Sequence, residues 1–218
     1  MKIQIGTHAL MVGDITTAAV SQLMGAELAD VLYSDPPWGP GNQQYWHTMR
    51  ERGSAPRTSW EKFLDAFAGV AMAHTKPEAP VFIEMGCRWA DQLEETMTWR
   101  GFECVKRWMM TYGPRSKPLP VTLNLFGRPE AMTRLQTLTQ EIDRDWPAVP
   151  HGEPVTKHVL SCCVQPNHLV LDPCTGLGMT ARITHHLGGH FRGTEMNAKR
   201  LERTATWLRS KCRYRPMP

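Results

Sequence analysis

The chain has 218 residues, 41% of them apolar, with 25 Lys or Arg against 21 Asp or Glu and a formal net charge of +4. That length fits one domain with a real core, and no run of 18 apolar residues marks a membrane span. The start lacks the apolar centre of a secretory leader, and six cysteines (87, 104, 162, 163, 174, 212) show neither a CxxC pair nor ligand-like spacing to the nine histidines. The expectation is a reducing, cytoplasmic protein with free thiols, no metal and no disulfide framework.

Lys2 to Ile5 alternates like a strand, and Gly13-Asp14 follows. Ile15 to Leu28 keeps a helical period. Ala29 to Ser34 reads as a strand ended by Pro36 and Pro37, so Asp35 sits at its carboxyl end. Gly39 to Ser59 has no clear period and reads as a long loop. Ser59 caps a helix through Ala73. Pro80 to Met85 is a buried strand, Trp89 to Arg100 a helix closed by Gly101. Phe102 to Tyr112 and Val121 to Phe126 are strands, Ala131 to Ile142 a helix, and Asp143 to Pro154 a loop. Pro154 to Val164 is a helix, His168 to Asp172 a strand stopped by Pro173, and Cys174 to Gly178 a tight turn. Met179 to Leu187 is a helix, His190 to Glu195 a strand, and Ala198 to Lys211 a helix. Such alternation argues for an α/β sheet with helices on both faces.

Two strand ends carry chemistry. Asp35-Pro36-Pro37-Trp38 delivers an acid, two rigid prolines and an indole at the end of a buried strand. Asp172-Pro173-Cys174-Thr175-Gly176-Leu177-Gly178-Met179-Thr180 joins a strand to a helix, where backbone amides meet a polar cofactor group. Glu195 ends the next strand, where an acid can hold the hydroxyls of a ribose. Turn and acid together imply an adenosine-type cofactor. A Walker A loop is excluded because Met179-Thr180 follows Gly178. A nicotinamide or flavin domain needs several strands after the turn, and only about 40 residues remain. The amino-terminal half must therefore complete the sheet, with residues 1–127 as catalytic half and 152–218 as cofactor half.

In this order the motifs resemble the amino-group DNA methyltransferases that use S-adenosylmethionine, of the permuted class called beta. Asp35 to Trp38 matches that family's D/N/S-P-P-Y/F/W motif. Asp172 to Thr180 matches its D-P-F-x-G-x-G-T-T turn, with Cys174 for Phe, Leu177 for Ser and Met179 for Thr. Phe191 to Asn197 matches its ribose-binding strand and Gly13-Asp14 its amino-terminal Gly-Asp; Glu153-Pro154-Val155 stands where Lys-Pro is common. The resemblance implies a Rossmann-like, mostly parallel sheet with one antiparallel strand and circularly permuted motifs. It implies S-adenosyl-L-methionine bound by Asp14, Asp35, the 172–180 turn (Asp172, Pro173, Cys174, Thr175, Gly176, Gly178, Thr180), Glu195, Met196 and Asn197.

The expected reaction is methylation of the adenine N6 amine in double-stranded DNA after base flipping. Asp35 and the Pro36 carbonyl grip the amine, Pro37 fixes the turn, Trp38 stacks on the base, and no cysteine acts as nucleophile. Arg50, Arg52, Arg57, Arg115 and Lys117 are the expected DNA contacts, and eight Lys or Arg crowd Arg192 to Pro218. The short stretch 128–151 is the expected target-recognition segment, its brevity pointing to a short site or a homodimer. Cytosine N4, RNA adenosine and a non-enzymatic docking module stay open, as does a restriction or phage setting.

Overall fold

The computed structural model describes residues 2–51, 58–113, 116, 118–146 and 151–212, the side chains of 47–51 excepted. Among the described residues, eight strands form one sheet in the order β1-β2-β8-β7-β3-β4-β6-β5. They are β1 (Lys2–Ile5), β2 (His8–Val12), β3 (Val31–Ser34), β4 (Val81–Gly86), β5 (Glu103–Tyr112), β6 (Leu119–Gly127), β7 (Leu169–Asp172) and β8 (His190–Glu195). The helices are α1 (Ala19–Met24), α2 (Pro40–Glu51), α3 (Trp60–His74), α4 (Ala90–Trp99), α5 (Met132–Asp145), α6 (Glu153–Cys163), α7 (Met179–His186) and α8 (Ala198–Cys212).

The central pairs β2·β8, β8·β7, β7·β3 and β3·β4 are all parallel. β6 runs against β4 and is the expected antiparallel strand; β1, hairpinned onto β2, adds a second at the far edge. The central strands are buried on both faces and split their side chains between two cores. Val31, Tyr33, Phe82 and Val170 join α5 to α8. Leu32, Val81, Ile83 and Leu171 join α1, α3 and α4. Alternation along each strand thus builds a three-layer sandwich.

Several boundaries differ from the sequence expectation, each for a local reason. β2 is a strand that the sequence pattern does not announce: it is buried along nearly its whole length, so it lacks the alternation that marks β1. α1 covers only the middle of the expected helix. Asp14 Oδ1 accepts from Thr16 N and Oγ1, and Thr17 Oγ1 donates to the Asp14 carbonyl, which makes a turn of its first residues. Gly25, at φ 58°, ends it.

The expected loop after Gly39 is largely α2. Pro40 at the first helical position was its available signal, and Gln43 N donates to the Gly39 carbonyl at 2.9 Å. The Ser59 cap is as expected, accepting from Lys62 N at 3.3 Å. Gly101, at φ 91°, closes α4 as expected. α5 fills most of the stretch expected to read DNA. It buries Leu135, Leu138 and Ile142 in the core, while Asp143 accepts from Trp108 Nε1 at 2.7 Å.

Candidate functional site

Strand direction places the candidate site. β2, β8, β7, β3 and β4 are parallel neighbours, so their carboxyl ends lie side by side. Those ends carry Asp14, Glu195, Asp172, Asp35 and, two residues before the end of β4, Glu84. Register fixes the first pair: Val12 is opposite Glu195, and Gly13 N donates to the Glu195 carbonyl at 3.1 Å. The connections leave β7 and β3 in opposite directions along the sheet. That is the switch point at which open α/β sheets form ligand crevices.

A cleft of about 550 Å3 opens there, within the roughly 300–1,000 Å3 of small-ligand sites. Of the residues named from sequence, Asp14, Asp35, Pro36, Pro37, Trp38, Asp172, Pro173, Cys174, Thr175, Gly176, Thr180, Glu195, Met196 and Asn197 all line it. Gly178 does not. It starts α7 at φ 79°, and a Cβ there would stand 2.4 Å from Thr204 Cγ2. Its glycine serves the packing of α7 against α8. Arg50 lies in α2 with its side chain outside the described residues; Arg52, Arg57, Arg115 and Lys117 lie outside them altogether.

Asp35 opens to the water of the cleft but sits recessed among protein atoms. Its Oδ1 accepts from Trp38 Nε1 at 2.7 Å. Burial and the charge of Glu84 push its carboxyl well above the usual carboxylate range, against the lowering effect of the Trp38 bond. Asp172 is buried, and its Oδ1 accepts from Ser34 Oγ at 2.7 Å and Cys174 N at 3.0 Å. Burial still raises it to about 6. Glu195 ties its own neighbourhood together: Oε2 accepts from Gly176 N at 2.9 Å and Oε1 from Asn197 N at 2.7 Å. The glycine turn and the strand-end acid are therefore one unit.

The cleft also holds residues that sequence reasoning missed. Trp38 meets Tyr112 edge-to-face, centroids 4.9 Å apart, and His151 at 5.9 Å; Tyr112 and His151 lie 5.1 Å apart. Behind them, buried Glu84 accepts from Tyr33 OH at 2.7 Å and meets His151 Nε2 at 3.1 Å. Arg200 lies over the Trp46 ring at 4.3 Å, and Asn42 Oδ1 accepts from both Trp38 N and Trp46 Nε1. Glu84 interrupts the apolar run of β4, so an acid in a buried strand was its only signal.

No disulfide joins any of the six cysteines. Burial raises the thiols of Cys104 to about 11 and of Cys174 well above normal, the latter reinforced by Asp172 and Glu195. Neither is poised as a thiolate.

No protein-family model and no curated protein sequence matches the chain. Its fold is that of several solved structures. TTHA0409 of Thermus thermophilus, a proposed DNA modification methylase, superposes with a TM-score of 0.66 at 16% identity, over 95% of this chain and 97% of its own. M1.HpyAVI gives 0.63 at 15%, over 91% and 97%. The cytosine-N4-specific PvuII DNA methyltransferase gives 0.64 at 12%, over 96% and 93%. TTHA0409 and M1.HpyAVI have also been solved in complex with S-adenosyl-L-methionine.

Proposed function

We propose that this protein is a DNA methyltransferase that uses S-adenosyl-L-methionine and methylates the N6 amine of adenine. One observation carries the reading: the Asp35-Pro36-Pro37-Trp38 strand end, the glycine turn and Glu195 line a single cleft on the neighbouring strands β3, β7 and β8. The fold shared with DNA methyltransferases supports it.

The charge of the cleft favours this cofactor over a dinucleotide. Its charged lining comprises Asp14, Asp35, Asp172 and Glu195 against Arg200. Such a surface repels a pyrophosphate and attracts a sulfonium and an ammonium group. In this reading Glu195, whose two oxygens already accept from Gly176 N and Asn197 N, accepts from ribose hydroxyls with its remaining lone pairs, and Asp14 accepts from the adenine end. Bound there, S-adenosyl-L-methionine supplies an electrophilic methyl group.

The chain's own part is positioning. An exocyclic amine is a weak nucleophile because its lone pair is delocalised into the ring. The Asp35 carboxylate accepts one N–H and the Pro36 carbonyl the other, which turns the nitrogen tetrahedral and frees the lone pair. Trp38 Nε1 holds Asp35 Oδ1, so the carboxylate is oriented before the base arrives. The raised proton affinity of Asp35 also suits it to take the proton that the amine sheds. Flipping the base out of a duplex costs a few kcal/mol. The aromatic group Trp38, Tyr112 and His151 offsets part of it, at roughly 1–3 kcal/mol per stacked base.

The same geometry serves cytosine N4, and the likeness to the PvuII enzyme keeps that reading in view. Incubation with duplex DNA and S-adenosyl-L-methionine, followed by nucleoside digestion and mass spectrometry, separates them. N6-methyladenine is the expected product. N4-methylcytosine selects the alternative base, and methyl transfer to RNA alone overturns the substrate class. Cofactor binding without transfer to either nucleic acid leaves a non-enzymatic module.

A further inference from the structure

The end of the sheet opposite the cleft brings together three residues that the sequence keeps far apart. β2 begins there with His8. α7 and α8 both start at the cleft and run away from it, so their last turns reach the same place. His185 comes from α7 and Cys212 from α8. One ligand-type atom from each of His8, His185 and Cys212 lies within 4.8 Å of the other two. His8 Nε2 and His185 Nδ1 are 3.0 Å apart, although 177 residues separate them in sequence. His8 is buried and the other two are half-buried.

We propose that His8, His185 and Cys212 form a binding site for a divalent transition-metal ion, zinc by its donor set. Two imidazoles and a thiolate are borderline-soft ligands, the combination that zinc takes in tetrahedral sites. Bond lengths of about 2.0–2.1 Å to nitrogen and 2.3 Å to sulfur put tetrahedral ligand atoms about 3.3–3.6 Å apart. The histidine nitrogens need to open by a few tenths of an ångström, and the sulfur lies within reach. His8 binds through Nε2 and His185 through Nδ1; the proton that their hydrogen bond holds between these two atoms moves, by tautomer exchange, to the other ring nitrogen of its donor. Cys212 binds as thiolate and releases its proton to solvent, one proton per ion. Water completes the tetrahedron.

The bound ion would act far from the methyl-transfer cleft. α8 has 15 residues, so at about 1.5 Å per residue its ends are roughly 22 Å apart. The site instead clasps the ends of α7 and α8 to the β1–β2 hairpin. Gly6, at the hairpin turn, brings its backbone close: a Cβ there would be 3.8 Å from Cys212 Sγ. The Trp207 ring packs against His185 at 5.8 Å and shields one side of the cluster. The histidine pair and the distant cysteine carry no spacing motif, which is why no metal was expected from the sequence.

The test uses the full, tag-free chain, purified without chelator and then stripped. Cobalt(II) is titrated in and followed by absorption, and zinc content is measured by plasma mass spectrometry after reconstitution. One ion per chain is expected, with a thiolate-to-cobalt band in the near ultraviolet and a higher melting temperature with zinc than without. Cys212→Ser should abolish the near-ultraviolet band. His185→Ala should weaken binding by no less than the roughly 10–100-fold lost when only an outer-shell partner of a metal ligand is removed. Absence of stoichiometric binding overturns the site. So does a cobalt spectrum without the thiolate band, or zinc affinity unchanged in both variants. If one variant fails to fold, the wild-type cobalt spectrum and the other variant still decide.

Discussion

Gly178→Ala tests whether the second glycine of the turn serves packing or the cofactor. The new Cβ would stand 2.4 Å from Thr204 Cγ2 and 2.5 Å from its Oγ1, in a residue held at φ 79°. The left-handed backbone costs a residue with a Cβ about 1–2 kcal/mol, and overpacking a tight site costs about 1–3 kcal/mol. The expected destabilisation is therefore about 2–5 kcal/mol. At about 2.1 cal/mol/K per residue, 218 residues give an unfolding entropy near 0.46 kcal/mol/K, so the melting temperature should fall by about 4–11 °C. Thr204 is buried, and its hydroxyl has no hydrogen-bond partner among the described residues. Thr204→Ala should then be well tolerated. Combined with Gly178→Ala it should recover the overpacking share but not the backbone share. Calorimetry gives the stabilities, and cofactor binding is titrated well below the transition, where it should stay within about threefold of wild type. A melting temperature within about 2 °C of the parent would refute the packing argument. So would a cofactor affinity lowered tenfold at unchanged stability.

Asp35→Ala should lower turnover by about 10²–10⁴-fold, the range for loss of a positioned proton acceptor, with cofactor affinity little changed; single-turnover methylation and calorimetric binding separate the two. Because burial and Glu84 raise the Asp35 pKa, its protonated form accumulates at higher pH than for an ordinary carboxylate, near 4. Activity should therefore fall as pH drops through that raised value, and an acid limb at or below 4 would contradict the assignment. Glu195→Ala removes acceptors from Gly176 N and Asn197 N, each charge-assisted bond worth about 1.5–3 kcal/mol. Cofactor affinity should drop at least tenfold, and an unchanged dissociation constant would sink the ribose assignment. Asp172 is raised to about 6 by burial, against about 3.9 unfolded. The folded state thus binds the proton more tightly, and the associated stability is present below about 4 and lost as pH rises through 6. Asp172→Asn should gain stability relative to wild type at pH 8 compared with pH 5; an equal difference at both pH values would argue against a buried charge.

Much of the candidate site was legible in the sequence because it is local. A strand that stops at proline leaves its last acid at the strand's carboxyl end, and Asp35 and Asp172 both follow that rule. The glycine turn and Glu195 are likewise consecutive pieces of one strand–helix–strand unit. The late position of that unit also determined that the amino-terminal half must complete the sheet, as β3 does beside β7. What the tertiary structure decided are the relations between residues distant in sequence. Register alone sets Val12 beside Glu195, and only the folded chain brings His151 to Trp38 and Tyr112 with Glu84 behind them. Gly176 and Gly178 look alike in sequence, yet one lines the cleft and the other carries α8, because Thr204 arrives from another helix. His8, His185 and Cys212 meet for the same reason. A sequence encodes strand ends and turns through nearest neighbours, whereas shared clefts and clusters depend on which elements the packed core sets side by side.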